Sequence, residues 1–86
     1  MKYDNGALEA AHKRSIFHKD EILNSNLCGC FYCLTTFHPN QIIEWVDEDK
    51  TALCPNCGID SVIGDKSGFP INDDIFLKEM HERWFN

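Results

Sequence analysis

Two Cys-x-x-Cys pairs, Cys30-Phe31-Tyr32-Cys33 and Cys54-Pro55-Asn56-Cys57, constrain this chain more than any other feature; positions 34–53, twenty residues, lie between them. Two residues between cysteines allow a tight turn that aims both sulfurs at one point while backbone N–H groups stay free to bond the thiolates. Each turn then supplies half of a tetrahedral shell at about 2.3 Å per Zn–S bond. The spacing lies within the range of four-cysteine zinc sites. In the second turn Pro55 pre-sets φ, and Gly58 tolerates a positive φ just after the last cysteine. Twenty residues suffice for a hairpin that returns the chain to its start. The expected ligands of one Zn2+ per chain are therefore Cys30, Cys33, Cys54 and Cys57. Four thiolates leave no open coordination position, which describes a structural site and not a catalytic one.

Size makes such a staple necessary. The chain has 86 residues, and a domain of this length buries only about 60–65 % of its unfolded surface. Cores of that size usually depend on disulfides or a metal, and a structural zinc supplies about 10–16 kcal/mol. The cysteine count is five, an odd number that argues against a disulfide framework. Met1–Ala11 contains no long apolar run, so no secretory signal is expected. No run approaches the length of a membrane span. The expected location is the cytoplasm, a reducing compartment in which cysteine pairs serve more often as metal ligands than as disulfides.

The fifth cysteine, Cys28, admits three readings. It could replace a neighbour in the shell, act as a redox-sensing thiol beside the metal, or pack as a small buried hydrophobe. The turn geometry favours Cys30 as the ligand, and the packing role is preferred for Cys28.

The predicted architecture is a small α+β fold, residues 1–86 as a single domain: a metal-stapled antiparallel β-ribbon of about three short strands, with a helical N-terminal arm and a C-terminal helix. Residues 1–27 form the arm, with a helix over 6–17 and a second short piece over 20–24. Leu8, Ala11 and Ser15 share one weakly apolar stripe, with which the arm could dock on the ribbon or stay partly mobile. Residues 28–66 form the ribbon. Pro39-Asn40 turns into a strand at Ile42, Ile43, Trp45 and Val46, Asp47-Glu48-Asp49-Lys50 makes a hairpin loop, and Thr51–Leu53 leads back to the second cysteine pair. Ser61-Val62-Ile63 is a further strand. Residues 67–86 carry the helix, with Asn72 as N-cap and Asp73 and Asp74 in the first turn. Phe76, Leu77, Met80 and Trp84 make its core stripe, while Lys78, Glu79, Glu82 and Arg83 face away.

The charge distribution separates function classes. Residues 1–27 carry four basic and four acidic side chains, whereas residues 28–86 carry four basic and ten acidic, so the ribbon and last helix hold the whole net charge of −6. Phosphate binding needs a basic surface, so nucleic acid is not an expected partner; only His12-Lys13-Arg14 through His18-Lys19 is locally basic. His12, His18, His38 and His81 are expected outside the metal shell; of these His38, five residues after Cys33, stands nearest and reads as a surface or turn residue. Asp47, Glu48 and Asp49 read as a solvated loop tip. No nucleotide loop, activated serine or acid–base pair is present, and an enzyme is not expected.

The two pairs and the Cys54-Pro55-Asn56-Cys57-Gly58 knuckle resemble zinc ribbons. More narrowly, Cys28-Gly29-Cys30-Phe31-Tyr32-Cys33, the stretch Thr51 through Gly64, and Phe76-Leu77-Lys78-Glu79-Met80-His81 resemble a group of small bacterial cytoplasmic zinc-ribbon proteins of unknown function. That resemblance implies a bacterial cytosolic module and brings no activity with it. The knuckle is also similar to that of rubredoxin, an iron electron-transfer protein, although Leu34 stands where rubredoxins carry glycine. The functional expectation is a non-catalytic zinc module that binds another protein. The alternative is a redox role, through iron or a thiol switch at Cys28.

Overall fold

The computed structural model describes residues 2–85. Three helices, α1 (Asn5–His12), α2 (Lys19–Leu23) and α3 (Asp74–Phe85), surround five short strands, β1 (Cys28–Cys30), β2 (Thr36–Phe37), β3 (Trp45–Val46), β4 (Thr51–Ala52) and β5 (Val62–Gly64). The strands form an antiparallel sheet in the order β2-β1-β5 and a separate β3-β4 hairpin. This is the expected small α+β fold with a helix at either end. No described helix is long and apolar enough to cross a membrane.

Strands β1 and β5 are buried on both faces, and strand alternation assigns a different core to each. In β5, Ile63 joins Leu8, Ala11, Phe31, Ile71, Phe76, Leu77 and Met80 under α1 and α3. Its neighbour Val62 points the other way, toward Ile22, Cys28, Cys30, Phe37, Ile42, Ala52 and Cys54. Residues i and i+2 share a face, so Cys28 and Cys30 both point to the second core, and Gly29 faces the helices. There a Cβ would lie 2.9 Å from Ile71 Cγ2 and 3.1 Å from Leu77 Cδ1. The Cys-Gly-Cys triplet thus puts sulfur on one face and lets α3 close over the other.

The arm docks through the predicted stripe: Leu8 and Ala11 are fully buried and Ser15 nearly so. Asp4 caps α1, its Oδ1 accepting from Ala7 N at 2.7 Å. The helix is shorter than expected because Ser15 Oγ donates to His12 O at 2.6 Å and Ile16 turns extended, at φ −134° and ψ 155°. Phe17 follows at φ 49°.

Other expectations are corrected. The strand foreseen at 42–46 shrinks to Trp45–Val46, because Ile42 N bonds Pro39 O at 3.1 Å and is captured by the preceding turn. Ile42 is buried in the second core, and Ile43 is left 80 % exposed. Asp73, not Asn72, supplies the capping oxygen of α3: its Oδ1 accepts from Ile75 N at 3.0 Å. Glu79 does not face solvent. Its two carboxylate oxygens accept from Lys2 N at 2.7 Å and Tyr3 N at 2.9 Å, and these backbone donors hold its pKa below the usual range. Asp73 accepts from Lys2 Nζ at 2.8 Å and Tyr3 Oη at 2.5 Å, which lowers its carboxyl to about 2. The two acids clip the start of the chain onto α3.

On the sulfur-bearing face, Gly64 meets α2. A Cβ there would overlap the Ser25 side chain, whose Oγ donates to Glu21 O at 2.8 Å and accepts from Lys66 N at 3.1 Å. Gly64→Ala should therefore cost about 1–3 kcal/mol by overpacking, read as a lowered thermal midpoint with the metal content unchanged.

Candidate metal centre

Each cysteine pair occupies a turn at the mouth of the sheet. The first closes the β1–β2 hairpin: Leu34 N bonds Cys30 O at 2.8 Å and Cys30 N bonds Thr35 O at 2.9 Å. The second repeats this pattern, with Gly58 N to Cys54 O at 2.9 Å and Cys54 N to Ile59 O at 3.0 Å. Within each turn the leading sulfur accepts the backbone N–H two residues on, Tyr32 N to Cys30 Sγ at 3.4 Å and Asn56 N to Cys54 Sγ at 3.3 Å. The two knuckles are equivalent residue by residue and face each other.

Their sulfurs converge. Cys30, Cys33, Cys54 and Cys57 bring their four Sγ atoms within 4.8 Å of one another, the one such cluster of candidate metal-ligand atoms among the described residues. Across the knuckles, Cys30 Sγ lies 3.6 Å from Cys57 Sγ, and Cys33 Sγ lies 3.7 Å from Cys54 Sγ. A tetrahedron with bonds of about 2.3 Å has edges of about 3.8 Å, so the donor set fits one soft cation. Cys30 and Cys54 are buried; Cys33 and Cys57 are half-buried.

Hydrogen-bond donors surround the sulfurs. Thr35 Oγ1 is 3.0 Å from Cys33 Sγ, Ser61 Oγ is 3.0 Å from Cys30 Sγ, and Asn56 Nδ2 reaches across to Cys33 Sγ at 3.5 Å. Such donors offset the charge of thiolate ligands and fix their orientation. Burial pushes the Cys30 thiol up, against the bonds from Ser61 and the backbone, and burial likewise raises Cys57. Burial opposes ionisation of Cys33 too, but Thr35, Asn56 and the Thr35 backbone N–H outweigh it and bring that thiol down to about 6.

Cys28 stands outside the four-sulfur group. It is fully buried, and burial pushes its thiol up to about 12, as suits a small packing residue. The histidines are also elsewhere. His18 Nε2 accepts from Ala52 N at 3.1 Å, and Nδ1 pairs with Arg14 O at 2.7 Å; burial lowers its pKa. His38 Nδ1 contacts Asn26 O, and His81 Nδ1 contacts Phe31 O. His12 packs against Trp84, ring centroids 4.0 Å apart. Asp47, Glu48 and Asp49 form the β3-β4 turn and are exposed.

Sequence reasoning missed Thr35, Ser61 and the amide of Asn56. Asn56 could have been found from its place inside the knuckle; Ser61 carries no sequence signal, because only the β1–β5 register brings it to Cys30. Leu34, the departure from rubredoxin, takes φ 66° and so does the job that Gly58 does at φ 80°. A left-handed conformation costs an ordinary residue about 1–2 kcal/mol, and glycine at such a site loses about 0.5–1 kcal/mol through its unfolded-state freedom. Leu34→Gly should thus be neutral to mildly stabilising, whereas Gly58→Val should lose about 1–2 kcal/mol, compared by thermal denaturation of the metal-loaded proteins. No protein-family model matches the chain, and no curated protein or solved structure is significantly similar to it.

Proposed function

We propose that Cys30, Cys33, Cys54 and Cys57 hold one Zn2+ as the structural centre of a zinc-ribbon-like module, and that this module is non-catalytic and works in the cytoplasm by binding another protein. The observation that carries the metal reading is the near-tetrahedral spacing of four sulfurs, with the 3.6 and 3.7 Å edges formed between the two knuckles. A shell filled by four protein thiolates supports a structural role, since catalytic zinc keeps a position for water or substrate. The cation joins the β1–β2 hairpin to the segment between β4 and β5, so it staples the two sheets together. The scaffold reading follows from that placement, and it leaves the exposed surface as the part that acts.

Native mass spectrometry of the purified protein should find one zinc per chain. Cys54→Ser and Cys57→Ser should each abolish zinc retention and cooperative unfolding, whereas Cys28→Ala should keep the metal and lose only about 1 kcal/mol from the small cavity. Iron with a visible absorbance, or equal zinc loss in the Cys28 variant, would overturn the assignment. Cross-linked affinity capture from cell extract should return a partner above background; repeated blanks would count against the protein-binding role.

A further inference from the structure

Eight lysines and arginines oppose fourteen acids in this chain, and three of the eight are in ion pairs: Lys2 with Asp73, Arg14 with Glu21, and Arg83 with Glu9. Among the described residues, five lysines have no carboxylate within ion-pair distance. Three of the five, Lys13, Lys19 and Lys50, line a single open groove of about 570 Å³ where the arm crosses the β3-β4 hairpin. Ile16 and Phe17 line the same groove and are 45 % and 65 % exposed. Positive charge and bare apolar surface thus coincide on a molecule whose net charge is −6.

The groove is preformed. Phe17 N donates to Thr51 Oγ1 at 2.9 Å, His18 N to Lys50 O at 2.8 Å, and Ala52 N to His18 Nε2 at 3.1 Å. These bonds fix the backbone beneath the lysines. Phe17 adopts φ 49°, a conformation rare for a bulky residue and costly by about 1–2 kcal/mol, and its ring remains mostly in water. Strained backbone that displays an apolar side chain is a feature that recurs at binding sites.

We infer that this groove is the docking site for an acidic protein segment that carries an aliphatic or aromatic anchor among its carboxylates. The inference rests on the protein-binding role and names the surface and the partner chemistry. Charge complementarity selects an acidic occupant over a basic one. The apolar pair and the interspersed acids select a peptide over a phosphate backbone: Asp20 and Glu21 line the groove among the lysines. A continuous polyanion would meet those two carboxylates, whereas a segment with spaced charges can avoid them.

The probe is a random dodecapeptide display library panned against the zinc-loaded full chain, followed by fluorescence titration of the selected peptides. Selected peptides should be rich in Asp and Glu around a Leu, Ile, Phe or Trp, and their affinity should fall as salt rises. Lys13→Glu combined with Lys50→Glu should weaken them at least about tenfold, and Phe17→Ser severalfold, with zinc content and thermal midpoint unchanged because all three side chains are exposed. Lys66→Glu combined with Lys78→Glu reverses the same charge elsewhere and should leave binding within about twofold. No selection, basic consensus sequences, or equal losses in both charge-reversal pairs would overturn the assignment. Concentration-dependent dimers broken by the Lys13 and Lys50 changes would overturn it in favour of a second copy of the chain. A partner captured from extract equally well by the groove variant would leave the protein-binding role standing and dismiss this groove alone.

Discussion

Four sulfur atoms within 4.8 Å of one another form an arrangement that bare thiolates cannot hold. Two unit charges at such separations repel by about 4 kcal/mol even at an effective dielectric of about 20, and four charges make six such pairs. A cation at the centre reverses the sign of the sum, and the donors at Tyr32, Thr35, Asn56 and Ser61 take up part of the remaining negative charge. The rest of the fold is organised around bringing these four atoms together. Two five-residue turns must face each other, so one must close a hairpin and the other must lead into the strand that pairs with that hairpin's first strand.

That requirement explains how the two faces of the sheet divide their tasks. β1 has to deliver Cys30 to the site while supporting two helices on its other side, and only a residue without a side chain at position 29 lets both happen. The cost is a strand with little apolar surface of its own. The helix-side core is therefore built from β5 and from residues outside the sheet: Leu8, Ala11, Phe31, Ile71, Phe76, Leu77 and Met80. Each fully buried aliphatic or aromatic side chain contributes about 1.5–3 kcal/mol, and the close approach of Ile71 and of Leu77 in α3 depends on the bare backbone at Gly29. The Asp73 and Glu79 clips at the start of the chain and the His12–Trp84 contact near its end close the layer at both termini.

The four clustered cysteines, the terminal helices and the apolar stripe Leu8-Ala11-Ser15 were legible in the sequence because each is a local pattern with a fixed period or spacing, although the stripe alone did not decide whether the arm docks. What was not legible depends on pairing between distant segments. Cys28-Gly29-Cys30 has no β-branched or aromatic residue, and it becomes a strand because two other strands bond it on either side. Ser61 acquires its sulfur contact from register, and Glu79 acquires its role from backbone N–H groups 76 and 77 residues away. Leu34 shows the opposite failure: sequence chemistry marks it as a poor fit for a left-handed site, yet the turn imposes φ 66° on it. The knuckle's hydrogen bonds, Leu34 N to Cys30 O and Cys30 N to Thr35 O, override a local cost of about 1–2 kcal/mol.

The same hierarchy reaches the surface. β4 runs into Leu53 and then Cys54, so the strand that carries Thr51 and Ala52 is anchored at its end by a member of the sulfur cluster. The arm from Phe17 to His18 is bonded to that strand through Thr51, Lys50 and Ala52. The strained Phe17 and the unpaired lysines beside it are therefore displayed by a backbone whose position is set, two elements away, by the sulfur cluster. Through β4, the four-cysteine cluster is thus linked to the groove that Lys13, Lys19 and Lys50 line.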